Sequence, residues 1–243
     1  MIEREEGLPG RRVERAEPFP FRCGPALACF NSCCRNKRLQ LLPYDVLRLA
    51  RSLGLATGAF LERHAELEIE PGSGWPVLRI WLEPDGRCPF VSISGCRVYA
   101  DRPACCRIYP LARALRLGED GEVVERFAVE DTGPRCLGFG GDGSRTVEAW
   151  MEGQGLGPYH AANARAARLF LHPARPRPLA LSDAGVHVVV QGVYDLDNFR
   201  ALAARPGFAA GARFRPEEVE AALASDEALL ALGERWVAAR LFG

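Results

Sequence analysis

Cysteine is the residue that most limits how this chain can fold. Nine cysteines occur in 243 residues, and eight of them fall into two groups. The first group is compact, with the spacing C-x5-C-x3-C-C, while the second is spread along a longer stretch. The eight are Cys23, Cys29, Cys33, Cys34, Cys88, Cys96, Cys106 and Cys136. Thiols at this density in a charged sequence indicate metal chemistry.

Composition argues against a disulfide framework. The hydrophobic content of 48% can supply a buried core without covalent staples. The first residues, MetIleGluArgGluGlu, contain no apolar stretch typical of a signal peptide, and no run approaches the length of a membrane span. We therefore expect a cytoplasmic protein, in a compartment where thiols stay reduced and clustered cysteines bind metal or act in catalysis.

The charge balance narrows the range of partners. The chain has 31 basic and 31 acidic residues, so its formal net charge is zero. A neutral chain has no long-range attraction for nucleic acid or for an anionic membrane surface. We expect neither partner. No feature of the sequence indicates an oligomeric state.

The pattern of apolar and turn-forming residues predicts an α+β fold. We expect an irregular, metal-organised domain with short strands and helices, followed by a mainly helical C-terminal segment. The predicted boundaries are a mobile lead-in at residues 1–20, the cysteine-cluster domain at 21–157 and the helical segment at 158–243.

Several elements can be predicted individually. An amphipathic helix begins at Pro43, and a short second helix follows Thr57. Residues 111–117 and 122–129, joined by GlyGluAspGly, predict a hairpin that brings Cys106 and Cys136 near each other. ValHisValValVal, at residues 186–190, is expected to form a short strand.

Thiolates suit both zinc and iron–sulfur clusters, and either takes four protein ligands in its closed form. Eight thiols can therefore fill two such sites. Adjacent side chains diverge on a helix or a strand, so Cys33 and Cys34 more naturally serve different metal atoms. None of the spacings is a plain C-x2-C pair, so the spacing leaves the metal open.

Arginine flanks the cysteines unusually often. A cation or hydrogen-bond donor beside a thiolate-held metal offsets its negative charge. The six flanking arginines are Arg22, Arg35, Arg87, Arg97, Arg107 and Arg135. Together with the Cys33–Cys34 pair they lead us to favour an iron–sulfur cluster over zinc. Cys105, the extra member of its own doublet, is expected to be a spare thiol.

From Phe21 to Gln154 the chain resembles the YkgJ family of cysteine-cluster proteins, described as a CxxCxxCC zinc- or iron-chelating domain. The resemblance rests on LeuProTyrAspValLeuArgLeuAla and on the residues around the cysteines: PheArgCys, AlaCysPhe, CysCysArg, CysProPhe, GlyCysArgValTyr, ArgProAlaCysCysArgIleTyrPro and CysLeuGly. It implies a metal or iron–sulfur site in which Cys106, rather than Cys105, is the ligand. Two departures are the wider first group and Leu137, at a position where Pro is common in the family.

The same resemblance implies an alternative function. Relatives with a known activity include flagellin lysine N-methylases, thought to use S-adenosylmethionine together with an iron–sulfur cluster. The alternative is therefore an iron–sulfur-dependent enzyme, such as a protein lysine N-methyltransferase with S-adenosylmethionine as a further cofactor and a protein as its substrate.

Overall fold

The protein is described by a computed structural model that covers Leu8 and residues 10–71, 73–140, 143–175 and 181–243. The chain divides into two compact units. The first comprises Met1–Gln40 and Ile80–Ala167, and the second comprises Leu41–Arg79 and Arg168–Gly243. All nine cysteines belong to the first unit.

The strands are short. They are β1 (Arg11–Val13), β2 (Pro18–Pro20), β3 (Gln40–Leu41), β4 (Ala65–Ile69), β5 (Pro76–Ile80), β6 (Val91–Ser92), β7 (Gly95–Cys96), β8 (Leu111–Leu117), β9 (Val123–Val129) and β10 (Ser144–Thr146). They form small sheets with the orders β1–β9–β8, β10–β2, β3–β5–β4 and β6–β7.

Helices occupy more of the chain than strands. They are α1 (Pro43–Ser52), α2 (Thr57–His64), α3 (Ala104–Ile108), α4 (Val147–Gly153), α5 (Gly157–Phe170), α6 (Asp183–Val189), α7 (Leu196–Ala203), α8 (Phe208–Gly211), α9 (Pro216–Leu223) and α10 (Asp226–Phe242). Short strands in small sheets together with many helices confirm the predicted α+β class.

The predicted hairpin is confirmed as β8 and β9. Its antiparallel register pairs Leu111 with Val129 and Leu117 with Val123. β1 adds to the free edge of β9, where Val13 pairs with Phe127. Strands β1 and β2 fall within residues 1–20, the predicted lead-in, of which residues 1–7 and 9 lie outside the described part.

The core of the first unit is built around aromatic rings. Phe21 packs edge-on against Trp150, with ring centroids 5.5 Å apart, and also against Tyr109 at 5.9 Å. The Trp150 indole N–H donates to the carbonyl oxygen of Ile108 at 3.1 Å. A Cβ atom at Gly138 would lie 2.3 Å from the Phe21 ring, so this close approach requires glycine.

The second unit is mainly helical. α1 begins at Pro43, and the backbone N–H of Leu42 donates to the Asp45 carboxylate at 2.9 Å. Its apolar stripe is buried, as the predicted helix requires. α1 and α2 contact the C-terminal helices α10 and α7. Residues 41–79, which lie between the two cysteine groups in the sequence, therefore belong to the second unit.

The predicted strand at residues 186–190 is wrong. These residues lie in α6 and in the π-helical turn Val190–Tyr194 that continues it. The Ser182 hydroxyl accepts from the backbone N–H of Gly185 and caps the helix, so local capping and packing override the strand preference of the valines.

Among the helices of the described ranges, none is both long enough and apolar enough to cross a bilayer.

Candidate metal centre

A series of tight turns carries the first four cysteines. Backbone N–H groups donate to carbonyl oxygens three residues earlier, as from Ser32 to Cys29 at 2.9 Å and from Cys34 to Asn31 at 3.0 Å. The segment ends in a 3₁₀ turn, Ser32–Cys34, entered through Asn31 in the left-handed conformation (φ 66°). A 3₁₀ turn has three residues per turn, so adjacent side chains diverge by about 120°. Cys33 is accordingly exposed and Cys34 half-buried.

Backbone hydrogen bonds join Cys34 to the second cysteine group. The N–H of Cys88 donates to the carbonyl oxygen of Cys34 at 2.9 Å. The carbonyl oxygen of Cys88 accepts from the N–H of Val91 at 3.1 Å, and Val91 pairs with Cys96 across the β6–β7 ladder. Cys34, Cys88 and Cys96 are therefore fixed to one another through the main chain.

Cys136 lies at the other end of the first group. The N–H of Arg22 donates to Gly138 O at 2.9 Å, which brings the chain before Cys23 beside the chain after Cys136. The N–H of Leu137 donates to the Cys29 sulfur at 3.3 Å. Cys136 thus joins Cys23 and Cys29, although more than a hundred residues separate them in sequence.

The second doublet lies on the short helix α3. The thiol of Cys105 donates to the carbonyl oxygen of Gln40 at 3.7 Å. A hydrogen bond with Cys105 is the largest cause that raises the pKa of Cys106; burial and the nearby Cys88 and Cys34 add to it. Cys88 and Cys34 therefore lie near Cys106.

The pKa shifts of the other thiols report the same neighbours. Burial, followed by Cys33, Cys29 and Cys136, raises the pKa of Cys23. A hydrogen bond with Cys33, then burial and the nearby Cys33, Cys88 and Cys96, raises the pKa of Cys34.

All nine cysteines are free thiols. In donor chemistry the set fits zinc or iron, which both bind thiolate sulfur strongly. Within the described ranges, however, no group of three or more His, Cys, Asp or Glu side chains is already arranged so that it could hold a metal ion. The sulfurs are near enough to shift one another's pKa values but do not form a finished coordination shell.

Three of the six arginines that flank cysteines make ion pairs or hydrogen bonds with loop residues. Arg35 and Arg87 both contact the Asp85 carboxylate, at 3.5 and 2.6 Å. Arg107 is buried and donates to the carbonyl oxygens of Arg102 and Gln154 at 3.0 and 2.7 Å. These three arginines therefore stabilise loops of the fold.

Arg102 was missed in the sequence because it is not adjacent to a cysteine. Burial raises the pKa of Cys96, whereas the positive charges of Arg102 and Arg97 lower it. Cys106 and Cys96 in turn stabilise the charged form of Arg102. Arg102 lies four residues before Cys106 and just ahead of α3, and its position in the ArgProAlaCysCysArg stretch is the signal that could have identified it.

Tyr109 is a second residue that the sequence did not single out. Burial is the largest cause that raises its pKa, and a hydrogen bond with Cys136 is the next. Tyr109 therefore lies near Cys136. The ammonium group of Lys37 lies over the Tyr109 ring, 5.7 Å from its centroid, and also helps to lower the pKa of Cys33.

Comparison with known proteins gives one match. Residues 22–133 match the model of the CxxCxxCC family, whose description is "Putative zinc- or iron-chelating domain". Searches of the curated proteins and of the solved structures gave no match.

Proposed function

Because residues 22–133 of this chain match the model of the CxxCxxCC cysteine-cluster family, we propose that its first unit is a metal-binding domain. The ligands are the thiolates of Cys23, Cys29, Cys33, Cys34, Cys88, Cys96, Cys106 and Cys136. Free thiols from separate parts of the chain meet in one unit, and this observation carries the proposal. A bound metal would supply cross-links between loops that have little regular structure of their own.

Metal binding requires the loops to move. Because the described side chains form no finished shell, the sulfurs have to approach one another as the metal enters. The turns around residues 23–34 and the β6–β7 hairpin are short, irregular elements that can make this adjustment.

We favour an iron–sulfur cluster over zinc. Hydrogen bonds to the sulfurs of such clusters are one of the factors that set their reduction potential. A donor of this kind is present, the Leu137 amide at the Cys29 sulfur. Clustered cysteines suit a reducing compartment, so the proposal includes a cytoplasmic location.

Anaerobic purification, metal analysis and a visible spectrum test this proposal. We expect bound iron, acid-labile sulfide and an absorption band near 400 nm that bleaches on reduction. A colourless protein that contains only zinc would reject the iron–sulfur version and keep the metal-binding function. A protein that takes up neither metal under reducing conditions would reject the function itself.

We do not extend the proposal to methyl transfer. The cavity lined by Arg12, Arg15, Glu125 and Phe127 encloses about 140 Å³. Sites for small-molecule cofactors usually enclose roughly 300 Å³ or more. Among the described residues, neither this cavity nor a smaller one of about 60 Å³ beside Thr57 is lined by a cysteine.

A further inference from the structure

We propose that strand β4 is a docking edge for an extended protein segment in which basic and apolar residues alternate. β4 lies at one end of the sheet order β3–β5–β4, so in the described part of the chain β5 is the only strand that pairs with it. A strand at a sheet edge presents backbone N–H and C=O groups along its outer side, and a further strand can bind them. All nine cysteines lie in the other unit, so this inference goes beyond metal binding.

The side chains along β4 alternate between two kinds of chemistry. The acidic residues are Glu66, Glu68 and Glu70, and the apolar residues between them are Leu67 and Ile69. Successive side chains of a strand point to opposite faces. β4 and the residue that follows it therefore carry an acidic row on one face and an apolar row on the other.

The apolar row is open to solvent. Leu67 is 46% exposed and Ile69 is 52% exposed, whereas Val77 and Leu78 of the neighbouring strand β5 are buried. Edge strands are often protected from further pairing by lysine or proline, and residues 65–69 contain neither. A strand added beside β4 would cover these two apolar side chains with its own.

The acidic row decides which segment can bind. A second copy of β4 would bring glutamates next to glutamates, and like charges across a strand pair are destabilising. Arg79 of β5 contacts the Glu68 carboxylate at 2.9 Å, so one of the three glutamates is already balanced within the sheet. Glu66 is exposed at the edge. Charge complementarity therefore selects a partner with Lys or Arg at every second position and apolar residues between them.

Binding of short synthetic peptides to the full chain tests this proposal. β4 has five residues, so a peptide of about six residues spans it. The test peptide is Lys-Val-Lys-Val-Lys-Val, labelled with a fluorophore, and anisotropy measures its affinity. We expect it to bind about tenfold more tightly than Glu-Val-Glu-Val-Glu-Val, because opposite charges across a strand pair attract and like charges repel.

A third peptide, Lys-Lys-Lys-Val-Val-Val, separates strand pairing from simple charge attraction. It has the charge of the test peptide without the alternation, so it should bind about as weakly as the glutamate peptide. Amide hydrogen exchange locates the contact: residues 65–69 should exchange more slowly when the test peptide is bound.

Glu66→Lys should weaken binding of the test peptide about fivefold, because it replaces an attraction with a repulsion. Glu220→Lys, an exposed change of the same charge on α9, should keep the wild-type affinity and serves as the matched control. Absence of binding, equal binding of all three peptides, or equal affinities of the two variants would overturn the proposal. A dimer of the free chain that Ile69→Lys separates would assign the edge to a second copy and would overturn it as well.

Discussion

At the scale of single residues, adjacent cysteines differ sharply in reactivity. The Cys34 thiol hydrogen-bonds to Cys33, which lowers the pKa of Cys33 and raises that of Cys34. Cys33 is also exposed. Because the thiolate is the nucleophile, a low pKa and exposure together define the reactive cysteine of the pair.

We therefore predict that iodoacetamide labels Cys33 of the metal-free protein before Cys34, Cys88 and Cys96. Cys23 is equally exposed, but its pKa is raised, so it serves as the matched control. As the pH falls from 8 to 6, labelling of Cys23 should decline first, because its thiolate is protonated at higher pH. Peptide mass spectrometry measures both rates. Equal pH profiles for Cys23 and Cys33 would contradict the prediction.

A buried ion pair in the first unit sets another residue-scale expectation. Arg113, whose side chain is 7% exposed, donates from Nε to Glu125 at 3.0 Å, and Arg15 contacts the same carboxylate. Burial acts to raise the pKa of Glu125, but Arg113 and Arg15 lower it overall. Loss of this carboxylate leaves a buried guanidinium without its counter-charge.

Glu125→Gln should lower the free energy of unfolding by roughly 3 kcal/mol at pH 7. The depressed pKa of Glu125 means that its contribution is present above the unfolded value and lost as the pH falls through the folded value. The difference between wild type and variant should therefore shrink below about pH 4. Glu119→Gln, an exposed change of the same charge on the hairpin turn, is the control. Urea unfolding measures all three proteins, and equal losses for the two variants would refute the role of the pair.

At the scale of elements, local signals predict some parts well and others poorly. α1 and the β8–β9 hairpin carry their own information, a proline at the helix start and a Gly-containing turn between strands. Residues 186–190 were wrongly predicted to form a strand because a run of valines favours a strand when contacts with the rest of the chain are not considered. Their helix depends on long-range packing against α10, which no local window contains.

The grouping of the thiols is hidden in the sequence for the same reason. The hairpin itself was predictable, and Leu111 and Val129 are paired at its open end. The sequence did not indicate that Cys136 affects the pKa of Cys23 or that Cys88 affects the pKa of Cys106. Those neighbours depend on side-chain direction and on the turn at Ser32–Cys34. The clustering of the cysteines could be read from the sequence, and the neighbours of each thiol could not.

The packing of α10 gives an element-scale prediction. A Cβ atom at Gly233 would lie 1.8 Å from the carbonyl oxygen of Gly192 in the π-helical turn, so the two backbones touch. Gly233→Ala should cost roughly 3 kcal/mol, because neither backbone can yield easily. Gly211→Ala on α8, where nothing lies within 4 Å of the added atom, should change stability by less than about 1 kcal/mol. Thermal unfolding of the two variants measures this difference in stability. Similar melting temperatures would contradict the packing argument.

At the scale of the whole molecule, the proposed ligands are confined to one of the two units. We predict that metal removal affects the units unequally. Amide hydrogen exchange should rise at least tenfold around residues 23–34 and 88–96. These loops contain little regular structure, so we expect the bound metal to keep them ordered. Exchange in α10 of the second unit should stay the same. Equal loss of protection in both units, or no change in either, would show that the metal does not organise the first unit.

The long separation between Cys34 and Cys136 has a consequence during synthesis. The two residues are 102 positions apart, and ribosomes add about 5–20 residues per second. In a nascent chain, Cys34 is therefore present for roughly 5–20 s before Cys136 is synthesised. During that interval these thiols are open to oxidants, and the proposed ligand set is complete only after translation has passed Cys136.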